Sequence, residues 1–554
     1  MALIDRFCRT DFSSYEDFYK NFKLKIPENF NFAFDVVDEL AALRPDKQAL
    51  LWCNDHGEER RFTFSDLKRL SGKTANYLRR LGISRGDRVM LILKRRYEYW
   101  YTALALHKLG AVLIPATHQL TVKDIKYRVK AADVKMILCV NEDLICSSVL
   151  EARGECGDIL KITATIGERD GFFNFTDGVN SSAEEFMRPE GYDAAKPQDA
   201  MLMYFTSGTT GMPKMVVHDF NYPLAHILTA KFWQDLRETD LHLTVADTGW
   251  AKCSWGKIYG QWICEACIFV YDYGSRFQPV DLLHMIAKYK ITTFCAPPTI
   301  FRFFIKEDLS GFDLSSLRAS YIAGEPLNAE VYNKWYKATG LKMREGFGQS
   351  ESAVLVATFP WIEPKPGSTG LPCPHFKTCL LDSEGRICEA GEEGEICVDM
   401  REGHPVGLVK EYFGDPAKTA DTMHDGWYHT GDLAWTDEDG YFWFIGRNDD
   451  VIKSSGYRIG PFEIESALIE HPAVLETAIT AVPDPVRGQI VKATIVLAKG
   501  YKASEALKKE LQEHVKKTTA PYKYPRIIDF VDELPKTISG KIKRVEIRQK
   551  DDVK

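Results

Sequence analysis

The sequence predicts an α/β protein with more than one domain. Strand-like apolar runs alternate with helical runs between Val89 and Val140, the pattern of a parallel sheet covered by helices. A glycine- and hydroxyl-rich loop follows the short apolar run at 201–204, and strand ends of this kind are where α/β sheets bind ligands. The chain of 554 residues is also too long for one hydrophobic core.

Composition narrows the class. Hydrophobic residues make up 45% and charged residues 27%, as in ordinary globular proteins. A net charge of -7 gives no basic footprint for nucleic acid. The thirteen cysteines form no framework and are odd in number, which fits reduced, intracellular thiols. Cys264 and Cys267 form the only CxxC, within an apolar run, and read as part of a buried strand. The N-terminus has acids early and no apolar stretch, unlike a secretory or organelle leader. The most apolar window, 99–116, is interrupted by His107 and Lys108 and is too short to span a bilayer. A cytoplasmic enzyme is expected, with no membrane or nucleic-acid partner, as a monomer or homodimer.

Taken in order, residues 1 to about 60 read as an irregular lead-in with helical pieces. Ser65 is the predicted N-cap of a helix whose apolar face carries Leu67, Leu70, Leu78 and Leu81. A strand at 89–93, a helix at 97–109, a strand at 112–114, a helix at 122–132 and a strand at 136–140 follow. Gln119 falls just after the second of these strands, on a loop. Residues 174–198 are polar and read as a surface connection. Further strands are predicted at 291–295 and 321–323, the latter ending in the turn Gly324, Glu325, Pro326. Short strand-like runs separated by glycine turns fill 367–440. The last hundred or so residues suffice for a small domain. Strands at 474–481, 493–497 and 526–531 and a helix at 505–517 are predicted there.

The loop from Tyr204 to Lys214 contains Thr206, Ser207, Gly208, Thr209, Thr210 and Gly211. Its glycines allow close backbone approach, its hydroxyls donate and Lys214 supplies a point charge, which suits a polyphosphate. It is not a Walker A loop, which places Lys-Ser or Lys-Thr directly after its second glycine. Here Met212 and Pro213 intervene and Met215 follows the lysine. A second block runs Glu345, Gly346, Phe347, Gly348, Gln349, Ser350, Glu351. Phe347 suits purine stacking, Ser350 reaches for phosphate, and Glu351 suits a hydrated magnesium ion. Trp250, Ala251, Lys252, Trp255, Gly256 and Lys257 form either a pocket wall or ordinary core.

Together these blocks resemble the adenylate-forming superfamily of acyl-CoA synthetases, peptide-synthetase adenylation domains and luciferases. The likeness runs over almost the whole chain and is greatest to medium-chain acyl-CoA synthetases. It implies a large N-terminal domain at 1–447, of two doubly wound sheets plus a β-barrel-like subdomain. A hinge at 448–450 would join it to a small, mobile C-terminal α+β domain at 451–554. The resemblance assigns 206–211, Lys214, 324–326, 345–350, Asp432, Arg447 and Lys541 to ATP. It makes Lys541, Glu351 and Lys214 the catalytic set, Glu351 the magnesium ligand and Asp449 the hinge residue. Gln119, Ser455, Gly456, Tyr457, Arg487, Lys516 and Tyr524 would bind coenzyme A. Trp250, Ala251, Gly348, Ser350 and Arg458 would border the acyl group. Acetyl-CoA synthetases carry a bulky Trp where this chain has Gly348, so glycine implies a longer or wider acid. Trp250, Trp255 and Trp262 would shorten or flatten the pocket in favour of medium, branched or aromatic acids. Either Lys252 or Lys257 reaches the acyl site, or both are solvated.

The implied chemistry is consistent with that set. A carboxylate attacks the α-phosphate of ATP, pyrophosphate leaves, and the thiol of coenzyme A then displaces AMP. Charge builds on phosphoryl oxygens, so cations and hydrogen-bond donors are required and a protein nucleophile is not. The competing reading is an adenylation enzyme that loads an acid onto a carrier protein.

Overall fold

Four sheets organise the described residues of the chain. The computed structural model describes residues 2–206, 212–274, 277–455, 457–536 and 542–552. Two sheets are large. One has eight strands, with 88–92, 112–115, 134–139, 162–165 and 200–206 running parallel and the antiparallel strands Lys214–Asp219 and Glu411–Tyr412 completing one edge. The other has nine strands, in which 48–54, 267–272, 241–244, 293–296, 319–323 and 343–348 lie parallel in that spatial order. Their interiors are near-continuous apolar runs, as expected for strands covered on both faces.

The glycine-punctuated region forms a five-stranded antiparallel sheet that includes Thr378–Leu381, Glu393–Asp399, Trp427–Thr436 and Phe442–Arg447. The C-terminal domain has its own five-stranded sheet, built on Val474–Asp484 and Gly488–Leu497. It also has its own core of Ile452, Ile464, Ile479, Ile495, Leu511 and Ile528. The architecture is therefore α/β, with mixed large sheets and a separate C-terminal domain.

Four local readings need correction. The lead-in is not irregular throughout, because Gln48–Asn54 is a strand inside the nine-stranded sheet, flanked by Cys267–Asp272 and Glu59–Thr63. The N-cap is Thr63 rather than Ser65. Its hydroxyl accepts from Asp66 N at 3.1 Å, Asp66 Oδ2 accepts in turn from Thr63 N, and the helix is Phe64–Arg80. Within 174–198 the connection also contains a short helix, Phe175–Asn180. Cys264 closes the helix Tyr259–Ile263, and only Cys267 enters the strand.

Candidate active site

The strands 200–206 and 214–219 form a hairpin that sets Thr206 opposite Lys214. Ser207, Gly208, Thr209, Thr210 and Gly211 lie outside the described residues, as do Gly456 and Lys541. The half-buried Lys214 ammonium stands 5.8 Å from the centre of the Tyr412 ring. Burial and the nearby Lys418 hold its pKa below the usual lysine value, while Glu351 pulls it up. Tyr412 OH donates to Glu351 Oε1 at 3.0 Å. Strand pairing of Tyr412 with Val216 brings that ring to the hairpin. Lys214, Tyr412 and Glu351 thus form one cluster from three distant segments.

Ser350 is fixed from behind. His218 Nε2 donates to Ser350 O at 2.7 Å, and burial pushes His218 down to about 4, so the ring is neutral at physiological pH. Gln349 ties the second block to the strand Trp427–Thr436. Its Nε2 donates to Asp432 Oδ2 at 2.5 Å and to Thr430 O at 2.9 Å, while its Oε1 accepts from Tyr428 OH at 2.7 Å. Asp432 is buried and lies opposite Arg447 in the ladder, with Arg447 Nη1 3.7 Å from Asp432 Oδ2. A carboxylate held this way still has lone pairs for a diol.

Glu345 is a buried support. Its carboxylate accepts from Leu327 N at 3.2 Å and Thr369 Oγ1 at 3.3 Å, and burial pushes it up to about 8. Through Leu327 it braces the turn of Gly324, Glu325 and Pro326. Gly324 has φ +100°, and Glu325 accepts from Thr299 Oγ1 and Arg302 Nη2. Gly346 is needed because a Cβ there would lie 2.5 Å from the Trp233 ring. Phe347 is half-buried, with its ring 6.1 Å from Phe444.

Gly348 requires a qualification. It is exposed, yet an added Cβ would meet Ala353 O at 2.6 Å, so a close backbone approach accounts for the glycine without reference to acyl length. The tryptophans also separate. Trp250 and Trp255 are partly exposed, but Trp262 is core, stacked over Phe32 and donating to Ala49 O at 3.0 Å. It does not belong with the pocket candidates. Ala251 opens the short helix Ala251–Lys257 directly after Trp250.

Neither lysine of that helix is simply solvated. Lys252 Nζ donates to Ala323 O at 3.0 Å and stands 5.7 Å from the Trp255 ring centre. Lys257 is buried, donates to Ala246 O at 3.2 Å and is pushed down to about 8 by burial. A Cβ at Gly249 would lie 2.4 Å from Thr117 N, so the turn before Trp250 packs backbone to backbone on the loop of the exposed Gln119. This contact joins the candidate acyl and coenzyme A segments.

On the C-terminal domain, Ser455 has φ +51° and accepts from Arg487 Nη1 at 3.2 Å. Tyr457 is half-exposed and stacks on Tyr522 at 4.1 Å. Lys516 Nζ stands 4.3 Å from the Tyr524 ring centre. Arg458 lies on the strand Tyr457–Ile459, opposite Lys453; its side chain is outside the described set. Asp449 Oδ1 is 3.6 Å from Arg447 Nε. The next residue, Asp450, is held by Arg548 Nη1 at 2.7 Å, and Arg544 bonds Glu465 at 2.6 Å. Tyr412 and His218 are the site neighbours that sequence reasoning missed. Each owes its place to strand register rather than to a contiguous motif.

Comparison with known proteins identifies the family. The family model described as AMP-binding enzyme matches residues 37–413, and that of the AMP-binding enzyme C-terminal domain matches 463–541. The mouse mitochondrial acyl-coenzyme A synthetase ACSM3 is 43% identical over 551 residues, covering 98% of this chain and 94% of its own. The human mitochondrial acyl-coenzyme A synthetase ACSM5 is 43% identical over 538 residues, covering 95% and 91%. Among solved structures, the anthranilate CoA ligase AuaEII in complex with anthranoyl-AMP superposes with a TM-score of 0.87 at 30% identity, covering 95% of this chain and 98% of its own. The chain belongs to the AMP-binding enzyme family. Within that family it is an AMP-forming acid–CoA ligase.

Proposed function

We propose that this enzyme activates a medium-chain, branched or aromatic carboxylic acid with ATP and passes the acyl group to coenzyme A. The observation that carries the reading is the convergence of the Lys214–Tyr412–Glu351 cluster with the Gln349–Asp432 junction. The half-exposed Trp250 and Trp255 support a flat, medium-sized acid pocket. Relatives named for acyl-coenzyme A and an anthranilate ligase holding its acyl adenylate support the same range.

In this reading Asp432 accepts the ribose hydroxyls, Arg447 faces ribose or the α-phosphate, and 206–211 with Lys214 cradle the polyphosphate. Magnesium suits Glu351, a half-exposed hard-oxygen donor whose other neighbours are a tyrosine hydroxyl and a lysine rather than sulfur or imidazole. When bound, the ion supplies charge neutralisation at the phosphates. Lys541 stabilises charge during adenylation. The C-terminal domain then turns about Asp449, withdrawing Lys541 and bringing Ser455–Arg458 to the adenylate for thiol attack. The domain limits 1–447, 448–450 and 451–554 are part of this proposal.

The cellular compartment is proposed to be reducing. All thirteen cysteines are unpaired, which fits our cytoplasmic reading and also the mitochondrial naming of the relatives. Among the described residues no helix is long and apolar enough to cross a membrane. Fractionation of cells expressing the protein decides between the two compartments.

The decisive test is pyrophosphate release with ATP and magnesium over acetate, butyrate, 2-methylbutyrate, octanoate, benzoate, palmitate and several amino acids, with and without coenzyme A. Coenzyme A-dependent turnover peaking on intermediate, branched or aromatic acids is expected. Turnover confined to amino acids, or indifferent to coenzyme A, would move the assignment to a carrier-loading adenylation enzyme.

A further inference from the structure

The five-stranded antiparallel sheet carries a group of side chains that the reaction does not use. Glu395 and Cys397 lie on the strand Glu393–Asp399, and His429 lies on Trp427–Thr436. Cys397 pairs with His429 in the ladder, and a register shift falls between Glu395 and Cys397. Residues two apart share a face of a strand, and an irregularity of this kind re-aims side chains. The result is a tight triad. Cys397 Sγ is 3.5 Å from His429 Nδ1, and Glu395 Oε2 is 3.0 Å from the same nitrogen. The three donor atoms all lie within 4.8 Å of one another.

The sulfur–nitrogen and oxygen–nitrogen separations are close to those set by coordination. Zinc–sulfur bonds of about 2.3 Å and zinc–nitrogen or zinc–oxygen bonds of about 2.0 Å, at tetrahedral angles, set donors roughly 3.2–3.5 Å apart. Cys397 is fully buried, while the His429 and Glu395 side chains keep 19% and 24% exposure. The group thus combines a buried sulfur with two partly exposed donors. The His424 ring stacks on His429 at 4.1 Å and fixes its plane. Glu395 is oriented too, because its other oxygen, Oε1, accepts from Gly431 N at 2.7 Å. A ligand held from behind by a second partner is the usual arrangement at metal centres.

We propose that Glu395 Oε2, Cys397 Sγ and His429 Nδ1 form a three-protein-ligand site for a thiolate-preferring divalent cation of the zinc class. The donor set itself selects the metal. Thiolate and imidazole favour zinc-like ions, whereas magnesium takes oxygen ligands. This site is therefore separate in chemistry from the nucleotide's magnesium at Glu351. It is close in structure, since Gly431 precedes Asp432 in the chain and bonds directly to Glu395. Binding requires the Cys397 thiol to release its proton to solvent.

The test uses reduced, chelator-stripped full-length protein and Co2+ as an optical probe, without substrates. Equimolar Co2+ is expected to give a thiolate-to-cobalt charge-transfer band that Zn2+ removes. Cys397→Ser should abolish that band, and Cys379→Ser, at the cross-strand neighbour, should retain it. His429→Gln and Glu395→Gln should each weaken binding by roughly tenfold or more. No band in the unaltered protein, or an undiminished band in Cys397→Ser, overturns the proposal. If the buried Cys397→Ser variant does not fold, the partly exposed His429→Gln decides, and unchanged affinity there overturns it. The readout involves neither acid nor ATP, so it stands or falls apart from the acyl-CoA assignment.

Discussion

Gln349 Nε2 lies 2.5 Å from Asp432 Oδ2, joining two motifs that are 83 residues apart in sequence. Asp432 is buried, with Arg447 Nη1 3.7 Å from its Oδ2. The amide holds the carboxylate in one orientation without neutralising it. Replacing Gln349 with Ala should therefore misplace the ribose ligand and leave the reacting phosphate contacts intact. A hydrogen bond to a charged group contributes about 1.5–3 kcal/mol, so KM for ATP should rise roughly tenfold or more with kcat much less affected. Steady-state kinetics over ATP concentration check this. A fall in kcat at unchanged KM would place Gln349 in the chemical step instead.

Tyr412 couples Lys214 to Glu351. Its ring faces the ammonium and its hydroxyl bonds the carboxylate. Tyr412→Phe keeps the ring and removes only the hydroxyl. The expected effect is a weaker hold on magnesium, seen as a several-fold higher magnesium requirement for pyrophosphate release, with saturating magnesium restoring most of the rate. A loss that magnesium does not restore would mean that the hydroxyl acts on something other than Glu351.

The sequence reveals chemistry where it is contiguous and hides it where it depends on register. The blocks 204–214, 345–351 and 427–432 each concentrate glycines, hydroxyls and charges within a few residues, so their character is visible locally. Tyr412 and His218 carry no such signal. Tyr412 reaches the site because a two-residue strand pairs with 216–217, and His218 because its strand passes behind Ser350. Composition cannot tell Trp262 from Trp255, since they lie on successive short helices and the difference is that Trp262 packs against Phe32 in the core. The strand 48–54 was legible in principle, as Ala49–Cys53 is an unbroken apolar run, but the polar residues around it mask its place inside a sheet. Gly348 is the opposite case, a residue whose identity points to an open pocket until the Ala353 carbonyl supplies a second reason for it.

Alternation of two C-terminal loops predicts a divided phenotype. Lys541→Ala should reduce acyl-adenylate formation by about a hundredfold or more, because it removes a cation from a site of developing charge. The same variant should convert supplied acyl-adenylate and coenzyme A to thioester at close to the normal rate. The two half-reactions are measured separately, by pyrophosphate release and by thioester formation. Equal loss in both halves would remove the basis for rotation about Asp449.

Glu345 gives a pH signature that does not depend on the substrate. Its carboxyl is buried between Leu327 N and Thr369 Oγ1, and burial raises its pKa from 4.5 to about 8. The folded state therefore binds its proton more tightly than the unfolded state does. The stability this provides is fully present below about 4.5, declines as pH rises and is lost once pH passes about 8. Glu345→Gln keeps the shape and replaces the ionisable group with a neutral amide. Its melting temperature relative to the unaltered protein should rise steadily between pH 5 and pH 8. Because Glu345 braces the 324–326 turn from behind, the substitution should alter KM for ATP by no more than a few-fold. A melting-temperature difference that stays flat across this range would show that Glu345 remains ionised in the folded protein.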